Sequence, residues 1–153
     1  MSTFVPSSHS NPGTSETLAN DGFYPVLELA AFKADMALGN DNEATRLVAL
    51  LRQAMIEINH DLASWRAGLT YTTLADVPAQ LYDGLSEKVH LYRSAVFNRA
   101  RALLISTRRD YDSTKSGRDK ADTVELPADD YFQYSREALS RLMNRPRSVI
   151  ELI

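Results

Sequence analysis

One stretch limits the fold more than any other. Between residues 43 and 67, Leu47, Leu50, Leu51, Ala54, Met55, Ile58, Leu62 and Trp65 recur at three- and four-residue intervals. That spacing puts all eight on one side of an α-helix. A stripe so long must be covered by other elements, and the helical segments around it are the ones available. Asn40, with Glu43 three residues later, has the form of a capping pair that opens this helix, and Gly68 closes it.

Three more segments carry the helical period. Residues 26–38 place Leu29, Phe32, Lys33, Met36 and Ala37 at helical spacing, with Pro25 at the start and Gly39 at the C′ position. Ser86 suits the N-cap of a helix over 87–108 whose inner face is Val89, Tyr92, Val96, Ala100, Leu103 and Leu104. A last helix over 128–143 lines up Tyr131, Ser135, Ala138, Leu139 and Leu142. Residues 69–85 are broken by Pro78 and Gly84 and predict an ordered loop, with Leu74, Val77, Leu81 and Tyr82 as packing anchors. Residues 110–127, polar and holding Gly117 and Pro127, predict a long mobile loop.

The predicted fold is therefore all-α: a small helical bundle of about four helices with extended N-terminal and C-terminal arms. Its domains are a flexible arm over 1–22, the bundle over 23–143 and an extended tail over 144–153. The first arm is rich in Ser, Thr, Asn, Pro and Gly and closes on the turn Asn20-Asp21-Gly22. In the tail, Pro146 blocks a helix, while Val149, Ile150, Leu152 and Ile153 favour extended structure. Such a tail either completes another chain's sheet edge or packs back over its own bundle.

Composition narrows the function classes. A length of 153 residues fits one domain, and 44% hydrophobic with 24% charged residues is a globular balance. With no cysteine there is no disulfide, thiolate zinc site, iron–sulfur cluster or cysteine nucleophile. No apolar run reaches the ~18 residues of a membrane span, and residues 1–8 lack the pattern of a signal peptide. The expectation is a soluble protein of intracellular origin with no membrane partner. The net charge of −3 is small but unevenly spread. Residues 1–85 hold ten acids against four bases, residues 86–120 four acids against nine bases, and residues 121–153 six acids against four bases. Blocks like these find partners within the fold or on a neighbouring subunit. Arg93, Arg101 and Arg108 fall within about 80° of one another around their helix and are expected to make subunit contacts.

No catalytic constellation emerges. His9, His60 and His90 lack a second histidine at metal-pair spacing. The run from Asp110 to Ala121 starts like a calcium loop but has Lys115 in place of the turn glycine and Ala121 in place of the closing glutamate. Asp119/Asp122 and Asp129/Asp130 suit loop solvation and a helix N-terminus. No phosphate-binding glycine loop or serine elbow is present. The expectation is no enzyme, no metal and no cofactor. A small helical nucleic-acid-binding protein using the basic segment 86–120 stays open as the alternative, although no aromatic interleaving accompanies its arginines.

Five blocks then point to a family. These are Phe23-Tyr24-Pro25, Leu74-Ala-Asp-Val-Pro-Ala-Gln-Leu-Tyr-Asp-Gly84, Tyr92-Arg-Ser-Ala-Val96, Gly117-Arg-Asp-Lys-Ala-Asp122 and Arg145-Pro-Arg-Ser-Val-Ile150. In order and spacing over residues 23–153 they resemble the head completion/stabilisation (L-type) proteins of peduovirus-like contractile-tailed bacteriophages. The chain departs from that pattern in the apolar Val-Leu-Glu-Leu-Ala-Ala after Pro25, and in Asn144 where glycine is expected. The resemblance implies a head-to-tail connector adaptor of the virion neck, assembled in the host bacterial cytoplasm. It would form a twelvefold ring with neighbouring copies under the portal protein, stabilise the DNA-filled head and carry the next neck or tail-terminator protein. Packaged DNA would be near without being specifically bound. Arg145, Arg147, Val149, Ile150, Leu152 and Ile153 are the expected portal-binding residues.

Overall fold

The computed structural model describes residues 16–112 and 125–145. In chain order the elements are β1 (Thr17–Leu18), β2 (Leu27–Glu28), α1 (Leu29–Asp35), α2 (Ala44–Asp61), α3 (Ala63–Ala67), a single 3-10 turn (Leu74–Asp76), β3 (Leu81–Tyr82), β4 (Leu85–Ser86), α4 (Glu87–Asp112) and α5 (Ala128–Leu142). The bundle is helical as the periodicity predicts, and its two antiparallel ladders, β1–β2 and β3–β4, are two residues long.

Helix α4 is the axis of the molecule. It packs against α2 on one side and α5 on another, and both run antiparallel to it. Along α2 the partners run Arg46–Thr107, Glu57–Arg99 and Asn59–Tyr92. On α5 they run Tyr131–Arg101, Ser135–Ala95 and Leu142–Lys88. Small residues let α5 sit close. Ser135, Ala95 and Ala138 are buried, and the Ser135 hydroxyl donates to the Ala95 carbonyl at 2.8 Å. The α2 stripe is buried from Leu47 to Leu62, with Trp65 half-buried. Phe32 of α1 meets Phe97 of α4 with ring centroids 5.4 Å apart. Each fully buried side chain of this size contributes roughly 1.5–3 kcal/mol from leaving water.

Several local expectations change. Residues 16–22, which composition assigns to an arm, are built into the fold: Thr17 and Leu18 pair with Glu28 and Leu27, and Leu18 is buried. That ladder keeps residues 27–28 extended, so α1 starts at Leu29 rather than near residue 26, its first N–H donating to the Glu16 carbonyl at 2.9 Å. It also ends early. Ala37 takes φ 50°, and Leu38 and Ala37 donate back to the carbonyls of Lys33 and Ala34, a helix stop formed before Gly39 is reached. The N-cap of α2 is Glu43 without a side-chain cap, so the Asn40–Glu43 capping pair does not form. Helix α2 also breaks at Leu62 before α3 carries the chain to Gly68. Asn144, by contrast, takes the left-handed position its identity suggests (φ 54°), and Arg145 donates to Ser140 at 2.8 Å to close α5. Helix α4 extends past Arg108 to Asp112. Most of the expected loop over 110–127 lies outside the described residues, as do residues 1–15.

Candidate interaction surfaces

The N-terminal segment is tied to the bundle by polar atoms at its centre. The Tyr92 hydroxyl donates to Asn59 Oδ1 at 2.6 Å, Asn59 Nδ2 donates to Asn20 Oδ1 at 2.9 Å, and Asn20 Nδ2 donates to the Tyr92 oxygen at 2.8 Å. Three residues from three parts of the chain thus close a ring of hydrogen bonds, each both giving and receiving. Tyr24 stacks on Tyr92 with centroids 4.7 Å apart and planes within 8°, Phe23 meets Tyr24 edge-on at 4.9 Å, and the Arg66 guanidinium lies over Phe23 at 4.5 Å. The Phe23 carbonyl accepts from the Leu74 N–H at 2.9 Å. Three of the five blocks that carry the family resemblance therefore meet at one place. Burial pushes the Tyr92 hydroxyl well above its ordinary pKa and the Tyr24 hydroxyl up to about 12, so both stay protonated.

Asp21 organises the turn before this cluster. Its carboxylate accepts from the Phe23 and Tyr24 N–H groups at 3.0 and 3.2 Å and pairs with Arg66. Burial raises its pKa, but the N–H donors of Tyr24 and Phe23 and the Arg66 charge outweigh that, so it sits below the ordinary 3.8. A carboxyl with a depressed folded pKa stabilises the fold above its unfolded pKa and loses that contribution as pH falls through the folded value. Below about pH 3.8, wild type should therefore lose a stabilisation that Asp21→Asn lacks, measured as the difference between their acid unfolding curves. With 37% of the side chain exposed, water screens the pair and the gap should be about 0.5 kcal/mol or less.

The three arginines expected at subunit contacts all have partners inside the chain. Arg93 lies 3.9 Å from Asp35 of α1, Arg101 lies 2.5 Å from Glu125 before α5, and Arg108 bonds Asn42 in the loop before α2. Arg99 bridges Glu57 and Asp61 at 2.9 and 3.2 Å. Lys88 is only 4% exposed. Its ammonium donates to the Leu142 carbonyl at the end of α5 and, at 3.1 Å, to Asn144 Oδ1, with the Trp65 ring 5.8 Å away. Five of the nine bases in 86–120 thus have partners within the chain, and the arginines of the stripe reach acceptors in three different segments packed around α4. Sequence periodicity missed Lys88, because a lysine at an inward position looks like a break in the pattern.

Among the described residues two surfaces stand out. The β3–β4 hairpin turns through Asp83 and Gly84, at φ 52° and 74°, the left-handed pair a tight hairpin needs. It is pinned at its base by Glu87 N–H to the Gln80 carbonyl at 2.8 Å and by His90 Nε2 to the Tyr82 carbonyl at 2.7 Å. Leu81 and Tyr82 are 69% and 57% exposed, so they are not the packing anchors expected; Leu74 and Val77 are. Neighbouring strand residues face opposite ways, so a strand that exposes both stands clear of the body. The second surface is a groove of about 420 Å³ between residues 16–21 and α2, floored by Leu18, Val48 and Met55 and flanked by exposed Ile56.

Of the expected portal-binding residues, Arg145 is exposed at the end of α5, while Arg147, Val149, Ile150, Leu152 and Ile153 lie outside the described residues. Among the described residues no group of three or more His, Asp or Glu could hold a metal ion, and no helix is long and apolar enough to cross a membrane.

Comparison with known proteins gives this arrangement a context. The family model for the phage head completion protein (GPL) matches residues 18–153, starting within β1. The head completion/stabilization protein of Escherichia phage P2 is 31% identical over 144 residues, covering 92% of this chain and 85% of that protein. No solved structure matches the chain. With nearly the whole chain matched, residues 18–22 included, this protein belongs to the phage head completion protein family.

Proposed function

We propose that the chain completes the DNA-filled head as a structural adaptor without catalysis. Copies form a twelvefold ring beneath the portal protein and offer the next neck or tail-terminator protein its platform, assembling in the host bacterial cytoplasm. The observation that carries this reading is the end of α5. Asn144 stops the helix, Lys88 holds that stop against α4, and exposed Arg145 is followed in the sequence by the eight residues 146–153. Eight extended residues reach roughly 26 Å, enough to carry Arg147, Val149, Ile150, Leu152 and Ile153 onto a neighbouring protein as an added strand.

Mass measurement tests it. Portal rings mixed with the full chain should gain the mass of twelve copies. A chain lacking residues 146–153 should keep its helical circular dichroism and add no mass. Portal rings that never gain mass would sink the adaptor reading, and undiminished uptake of the shortened chain would remove the tail from it.

A further inference from the structure

We propose that the exposed β3–β4 hairpin of one copy seats in the groove between residues 16–21 and α2 of the next copy. This rests on the ring reading above and names the contact that would build the ring.

Three observations lead there. The hairpin is a rigid projection whose Leu81, Tyr82 and Leu85 side chains face solvent although backbone and side-chain hydrogen bonds hold its base. Exposed apolar side chains on a fixed support mark a surface that another surface covers. The groove offers matching chemistry, with an apolar floor, exposed Ile56 on its flank and a volume of about 420 Å³ that admits a leucine and a tyrosine side chain.

Charge sets the orientation. Asp83 at the hairpin tip has no ion pair among the described residues, and neither does Arg52 in the groove. Of the groove's two carboxylates, Asp21 is already bonded to Arg66, so the tip must approach with Asp83 toward Arg52 and away from Glu16.

Position sets the symmetry. His90, which holds the hairpin, and Tyr92, which holds the groove side, are two residues apart on α4 and so about 200° apart around it. Projection and groove thus lie on different sides of the subunit. A contact between different patches is head-to-tail, which builds a ring where the rotation closes and an open filament where it does not, but never a two-fold dimer. Occupation of the groove by the chain's own residues 1–15, the last of which adjoins Glu16, is the competing outcome.

The lack of cysteine makes the test clean. Ile56→Cys, Leu81→Cys and Gln133→Cys each replace an exposed residue. Ile56→Cys mixed with Leu81→Cys should form the mixed disulfide about tenfold faster than Ile56→Cys mixed with Gln133→Cys, because docking raises the local thiol concentration. Asp83→Arg should abolish the preference and Arg52→Asp in the partner copy should restore it. Equal rates for the two mixtures, or faster pairing of Leu81→Cys with itself, would overturn the proposal. Faster Ile56→Cys pairing only after residues 1–15 are removed would assign the groove to that segment instead. Portal-ring mass measured on the same variants separates the two readings: a missing cross-link preference with intact ring uptake leaves the adaptor function standing, and the reverse result leaves only the contact.

Discussion

Tyr92→Ala should cost about 4 kcal/mol or more, a large share of the net stability of a domain of this size. The side chain is fully buried, stacks on Tyr24 and closes the hydrogen-bond ring with Asn20 and Asn59. Truncation removes a large apolar volume, takes one hydrogen-bond partner from each of two half-buried amides and frees the N-terminal segment from α4 at once. Tyr92→Phe separates these effects. It keeps the stack and loses only the hydroxyl, so the urea midpoint should fall by the equivalent of about 1–3 kcal/mol. Tyr24→Phe supplies the contrast, since the Tyr24 hydroxyl is buried without a partner among the described residues and its loss should be near neutral. If Tyr92→Phe proves as mild as Tyr24→Phe, the ring of bonds contributes nothing to stability.

Lys88→Met should cost about 2 kcal/mol, and Lys88→Glu enough to unfold much of the protein at 37 °C. Burial lowers the Lys88 pKa, the nearby Glu87 opposing, so the ammonium is held at some expense. Its return is at the last turn of α5, where the Leu142 carbonyl has no helical donor and the helix dipole presents its negative end. Methionine fills the space but leaves that carbonyl without a donor; glutamate adds a like charge to it. A double-mutant cycle with Asn144→Ala should show coupling of about 1 kcal/mol, because both residues serve the same helix end. Additive losses would mean that Lys88 acts only by filling volume.

The helices were legible because each carries a long apolar stripe, and the stripe of α2 is buried almost residue for residue as its spacing requires. What failed to show was whatever depended on a remote partner. Pro25 and Val26 look like the start of a helix until Leu18 pairs with Leu27. Asn20 has the composition of a loop residue, and nothing local tells that Tyr92, 72 positions on, will take its amide. Leu81 and Tyr82 read as anchors because large apolar residues usually go inside, and only the tight turn at Asp83-Gly84 shows why they cannot. The arginine stripe was visible at 100° per residue, but not the separate acceptors each arginine finds in the elements packed around α4.

The antiparallel clasp between Lys88 and the end of α5 also has a mechanical side. A pull on residues beyond Arg145, directed along α5 and away from its start, slides that helix lengthwise past α4. Every link between them is then loaded together, from the Ser135 hydroxyl on Ala95 to the ammonium on Leu142. Bonds strained in parallel resist far more than bonds opened one after another. A tether fastened to this end of the bundle can therefore bear tension without unravelling the subunit that holds it.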